Sequence, residues 1–163
     1  MKPRACSLAL VVVVALSGVA AATDYPVAGR KLVVVDRRPA GGTAKTSFVV
    51  KDVAVTKGAG VDTAQIEARL DLVYDDARGG FEMPSGEGWR ANTAAAARYL
   101  HRDAPEAGEV KSSLVKPGKL LRVVAQGTGD VPLDVTVAPA GPVYAVHTVR
   151  NAGEESRHCT QFT

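Results

Sequence analysis

The 163-residue sequence predicts an all-β fold, an antiparallel β-sandwich or a barrel-like variant of it. Three observations carry that expectation. Apolar and polar residues alternate over short stretches, as they must when successive side chains point to opposite faces of a strand. Other stretches are β-branched runs, which suit a pleated surface. Sixteen glycines and nine prolines punctuate these stretches, which favours short strands joined by turns over helices wound between parallel strands.

The chain opens on Met1-Lys2-Pro3-Arg4, followed by an apolar run from Leu8 to Leu16, a Ser17-Gly18 break and the small residues Val19-Ala20-Ala21-Ala22. Charge, apolar run and small residues in that order make a secretion signal. A spanning helix needs about 20 apolar residues, and the run is under half of that. Residues 1–22 are therefore expected to form a signal helix removed after Ala22, with an uncleaved anchor as the alternative. Residues 23–163 then form a single β-rich domain, secreted or periplasmic, with no membrane span. A lipid anchor would need a cysteine just after the cleavage point, and Cys6 lies upstream of it.

Within that domain, the β-branched run from Lys31 to Val35 is expected to open the fold. Phe48, Val50, Val53 and Val55 form an inward set whose phase slips at Lys51-Asp52, which implies a β-bulge or two short strands. From Gln65 to Tyr74 the alternation is clearest. Ile66, Ala68, Leu70, Leu72 and Tyr74 share one face, and Gln65, Glu67, Arg69 and Asp71 share the other, the pattern of a sheet covered on one side and wet on the other. Gly79-Gly80 and Gly86-Glu87-Gly88 read as loops. The stretch Asn92-Thr93-Ala94-Ala95-Ala96-Ala97-Arg98 offers an N-cap and strong helix formers, so a short helical turn or loop leading into a strand is expected there.

Lys116-Pro117-Gly118-Lys119 lies between Leu114-Val115 and the run Leu120 to Ala125. Proline presets φ for the first central turn position and glycine accepts the positive φ of the next, so a hairpin is expected. Pro132 to Val137 alternates Leu133, Val135 and Val137 inward, Val143 to Val149 is a further β-branched run, and Arg157 to Phe162 supplies a last strand.

The segment Ser113-Leu114-Val115-Lys116-Pro117-Gly118-Lys119-Leu120-Leu121, with Gly127-Thr128-Gly129 after it, resembles a family of small exported bacterial proteins whose function is uncharacterised. Gly29-Arg30-Lys31-Leu32 to Asp36 and the ending His158-Cys159-Thr160-Gln161-Phe162, with its Cys-x-x-Phe pattern, resemble that family's opening and closing segments. The resemblance implies export and a β-rich fold, and it brings no activity or catalytic residues. Family members often carry further cysteines shortly before and after the hairpin, where this chain has Glu109-Val110-Lys111 and Val124-Ala125-Gln126, which puts a family disulfide to Cys159 in doubt.

Charge and composition narrow the function classes. Without Lys2 and Arg4, 18 basic residues face 17 acidic ones, so the net charge of the mature chain is near +1. The two signs are interspersed, unlike the concentrated basic face of a nucleic-acid binder. Cys159 alone remains after the leader, so no intramolecular disulfide can form, and a buried, inert thiol is the expected state.

Motifs for chemistry are thin. His101-Arg102-Asp103 matches a kinase catalytic loop by chance, because the other kinase elements are missing. Gly127-Thr128-Gly129-Asp130 begins like a phosphate-binding glycine motif, but no third glycine follows at the required spacing, so it reads as a turn. A nucleophilic site would have to combine Ser112, Ser113 or Cys159 with His101, His147 or His158 and an acid. His158 and Cys159 are adjacent and so face opposite ways on a strand. Asp71, Asp75, Asp76 and Glu82 could serve calcium, yet their spacing is that of ordinary turn chemistry. The histidines lack metal-pair spacing and are expected at the surface or as caps.

Trp89, Phe81 and Tyr99 are the candidate binding residues, as an aromatic platform for a sugar ring, with core packing as the default for each. The expectation is a non-catalytic binding or structural module of the envelope or extracellular space, without cofactor or metal, whose partner is a polysaccharide or a protein. The alternative is a small exported hydrolase with a site not visible as a local motif.

Overall fold

The computed structural model describes residues 22–56, 65–75, 77–86, 88–93, 96–100, 110–127, 139–151 and 153–163. Most of them lie in eleven strands: β1 (Ala22–Pro26), β2 (Gly29–Asp36), β3 (Ala44–Val50), β4 (Glu67–Tyr74), β5 (Ala77–Met83), β6 (Trp89–Thr93), β7 (Ala96–Leu100), β8 (Val110–Lys116), β9 (Leu120–Gly127), β10 (Val143–Asn151) and β11 (Glu154–Phe162). Among the described residues the helical content is one 3-10 turn, Arg38–Ala40, and no helix is long and apolar enough to cross a membrane.

The strands form two sheets packed as a sandwich. One has five strands in the order β1-β11-β10-β4-β5, and the other has six in the order β2-β3-β9-β8-β7-β6. Among the described residues neither sheet closes on itself or joins the other, so the barrel-like variant is not formed. Every pairing is antiparallel except β1 with β11, which is parallel.

Alternation builds the core as the sequence implies. Ile66, Ala68, Leu70 and Leu72 are buried, and they meet Phe48, Val50, Val115, Leu121 and Val123 of the facing sheet in one cluster. The Pro117-Gly118 hairpin forms: Lys119 N–H donates to Lys116 O at 3.1 Å, and Gly118 takes φ +67°. Gly118 N–H also donates to Val55 O at 2.7 Å, which ties the hairpin tip to the chain leaving β3.

Four expectations are corrected. The fold opens with β1 rather than with the 31–35 run, because residues 22–26 find a ladder partner in β11. The strand expected after the 92–98 stretch forms as β7, but the described residues on either side of 94–95 are strand rather than a helical turn: β6 and β7 pair as a hairpin and β7 pairs with β8, so strand pairing overrides the local helix propensity. Gly79 and Gly80 lie within β5 rather than in a loop. Val53 does not share the inward face of Phe48, Val50 and Val55: the chain turns after β3, and Val53 is 86% exposed. Asp52 holds that turn, accepting from Ala54 N–H and Ala28 N–H at 2.8 Å each. The expected 132–137 strand and the leader before Ala22 lie outside the described residues.

Candidate functional site

Two polar arrangements stand out, one on each face of the five-stranded sheet. On the outer face, strand register sets charged residues in rows. Glu155, Arg150 and Glu67 form one row across β11, β10 and β4. Asp24, Arg157, Thr148, Arg69 and Glu82 form the next, from β1 to β5. Cys159, Val146, Asp71 and Gly80 form a third, followed by Gln161, Tyr144, Val73 and Arg78.

Ion pairs stitch these rows together. Arg150 donates from Nε to Glu155 Oε2 at 2.7 Å and from Nη1 to Glu67 Oε1 at 3.0 Å. Arg69 donates from Nε to Asp71 Oδ1 at 2.8 Å and from Nη1 to Glu82 Oε1. Arg78 Nη2 stands 3.4 Å from the same Asp71 oxygen. Arg157 Nε lies 2.8 Å from Asp24 Oδ1, a charge contact whose N–H is not aligned as a hydrogen bond. The bond to Asp71 raises the Arg69 pKa above its usual value, and the bond to Glu155 does the same for Arg150.

Gly80 makes room for this lattice. A Cβ there would lie 2.8 Å from Arg69 Cζ and 3.0 Å from Asp71 Oδ1, so the bare backbone of β5 is what lets the guanidinium lie across it. The outcome is an open trough of about 810 Å³ walled by four arginines and four carboxylates, with Val73, Val146 and Thr148 on its floor. Asp71, expected on a wet face, is buried there because the two arginines cover it.

The inner face carries the second arrangement. Phe81, Leu70, His147, His158 and Tyr25 line up in one row across all five strands. Both imidazoles are fully buried, which corrects the expectation of surface or capping histidines. Their rings lie 6.0 Å apart, and His158 stacks on Tyr25 at 5.7 Å with 25° between planes. Thr56 N–H donates to His158 Nε2 at 2.9 Å, so that nitrogen is bare and the ring proton sits on Nδ1, facing His147 O at 3.3 Å. Among the described residues His147 has no hydrogen-bond partner on either nitrogen. Burial lowers the pKa of both rings below the ordinary histidine value, that of His147 to about 3, with the neighbouring His158 adding to it.

Phe81 and Trp89 are both buried in the core, and the Trp89 indole N–H donates to Pro84 O at 2.9 Å. Neither ring presents a face for a sugar, and the Tyr99 side chain, like His101, Asp76 and Glu87, lies outside what the structure describes. Ser113 Oγ is buried without a hydrogen-bond partner, so it is not paired with either described imidazole. Cys159 is half-buried on the outer face, away from the neighbouring His158, rather than a buried core thiol. Asp75 accepts from Ala140 N–H at 3.1 Å and takes φ +45° in the two-residue turn between β4 and β5. Asp71, Glu82 and Asp75, weighed as calcium ligands, are thus occupied by arginines and a turn. Among the described residues no group of three His, Cys, Asp or Glu side chains is placed to hold a metal.

Neither arrangement was named from the sequence. The alternation assigned Glu67, Arg69 and Asp71 to one face, but which arginine meets which acid depends on register with β5, β10 and β11. His147 shared the phase of Ala145 and Val149, and that was a readable sign of burial. No family model, curated protein or solved structure matches the chain.

Proposed function

We propose that the protein is an exported, non-catalytic binding module of the envelope or extracellular space, and that it holds a polysaccharide along the outer face of its five-stranded sheet. The observation that carries this reading is the trough with its ion-paired arginines. A volume of about 810 Å³ is within the range of ligand sites. Its carboxylates fix the guanidinium forks of Arg69 and Arg150, leaving further N–H donors of each fork for a ligand.

Four arginines balance four acids, so net charge does not select the ligand. Alternating donors and acceptors instead suit hydroxyl groups, which both give and accept hydrogen bonds. A polyhydroxylated chain fits that pattern better than a polyanion. Export is supported by the Lys2/Arg4, Leu8–Leu16 and Val19–Ala22 leader.

Affinity electrophoresis through gels carrying envelope and extracellular polysaccharides tests the proposal. The protein should be retarded by at least one of them, and Arg150→Gln and Arg69→Gln should each weaken binding about tenfold, the equivalent of one lost charge-assisted hydrogen bond. No retardation in any gel, or equal retardation of both variants with unchanged circular dichroism, would overturn it. Intact mass of the exported protein should place the mature N-terminus at Thr23.

A further inference from the structure

We propose that His158 is an acid-sensitive latch between the two sheets, in which its neutral Nε2 holds Thr56 N–H and proton uptake at that nitrogen releases segment 51–56 together with the Pro117-Gly118 hairpin tip. Thr56 follows β3 of the six-stranded sheet, whereas His158 sits on β11 of the other, so this 2.9 Å bond spans the sandwich. The chain position just before it carries the next link, because Val55 O accepts from Gly118 N–H at 2.7 Å. The imidazole nitrogen therefore ties the end of the segment, and through Val55 the hairpin tip, to β11, while Asp52 holds the start of the segment to Ala28.

The bond exists only for one protonation state. Nε2 accepts from a backbone N–H, and the ring proton occupies Nδ1 opposite His147 O. A second proton would set Nε2–H against Thr56 N–H, donor against donor, and the contact must open. Burial outweighs the backbone contacts to His147 and Thr56, which favour the charged ring, and among the described residues no surrounding side chain compensates the charge. β10 contributes His147, whose own ring is neutral for the same reason of burial, and β1 contributes the stacked Tyr25. On segment 51–56, Asp52 has both oxygens engaged by Ala28 and Ala54 N–H. Beyond His147, β4 brings Leu70, and the core cluster shared with the facing sheet is apolar, Phe48 and Val50 among it. Asp71, the buried carboxylate among the described residues, lies on the opposite face of the sheet. Burial lowers the His158 pKa, which places the release below the ordinary histidine range of about 6.5.

Amide hydrogen exchange of the 15N-labelled protein, corrected for intrinsic rates, tests the latch from neutral to acid pH. Thr56 and Gly118 should lose protection about tenfold more than the central β10 amides for each pH unit below the His158 titration. His158→Gln should abolish that difference, because its amide oxygen accepts from Thr56 without titrating. Parallel loss at Thr56, Gly118 and β10, or a difference that survives in His158→Gln, would overturn the proposal. Imidazole 15N shifts of the unmodified protein give a second readout independent of any variant's folding. They should show the Nδ1–H form of His158 at neutral pH, with Nε2 protonating in step with Thr56 opening. An Nε2–H form, or opening out of step with protonation, would refute it.

Discussion

His147→Leu should remove much of the protein's acid sensitivity, and the size of the effect follows from the imidazole's surroundings. His147 is fully buried, both nitrogens lack partners, and its folded pKa is lowered to about 3. In the unfolded chain the same ring titrates near 6.5. The unfolded state therefore binds the proton first, and the folded state loses stability as pH falls below 6.5, down to the folded value near 3. Near pH 7.5 the penalty is about 0.1 kcal/mol, and at pH 5 it is about 2 kcal/mol, since each unit between the two values contributes about 1.4 kcal/mol. Leucine cannot titrate and is of similar bulk, facing Leu70 on one side and His158 on the other. It also removes a buried polar ring that makes no hydrogen bond, so the variant should be at least as stable as the parent at neutral pH. Urea unfolding of both proteins near pH 7.5 and pH 5 measures the difference directly, because His158 and the carboxylates contribute to both and largely cancel. Equal stability losses in parent and variant would show that His147 does not stay neutral in the folded state.

Five other substitutions probe separate parts of the structure. Gly118→Val places a β-branched residue at φ +67° and should cost about 1–2 kcal/mol or more in urea unfolding, whereas Val53→Ser at the exposed neighbouring turn should change stability by less than about 0.5 kcal/mol. Trp89→Ala should destabilise by about 3–5 kcal/mol, and Trp89→Phe, which keeps the ring but strands Pro84 O, by about 1–2 kcal/mol, each read from thermal unfolding. Gly80→Ala should leave the fold intact by circular dichroism, push the flexible Arg69 fork off Asp71, lower stability by about 1 kcal/mol and weaken polysaccharide retardation alongside Arg69→Gln.

How much of this was legible depended on how local the cause was. The β4 alternation and the Pro117-Gly118 hairpin were readable because a strand's facing and a turn's φ requirements are set within a few residues. The β6–β7 hairpin was not, since alanines around residue 95 favour a helix locally and the ladder with β8 decides otherwise. Residues 22–26 gave no strand signal of their own, because their order comes from the parallel ladder along β11.

The outer trough shows the limit most clearly. Periodicity assigns a residue to a face but says nothing of what covers that face, so Asp71 read as solvent-facing. Its burial needs Arg69 from its own strand and Arg78 from β5, and those reach it only because β5 pairs so that Gly80 lies opposite Asp71. Had that register slipped by one residue, Phe81 would stand opposite Asp71, the core and outer faces of β5 would exchange, and no cradle for the guanidinium would remain. The same pairing that buries Phe81 thus also creates the charged trough. A register that satisfies the core fixes the surface geometry as a by-product, which is why the candidate site lies where the sequence pattern alone assigned only water.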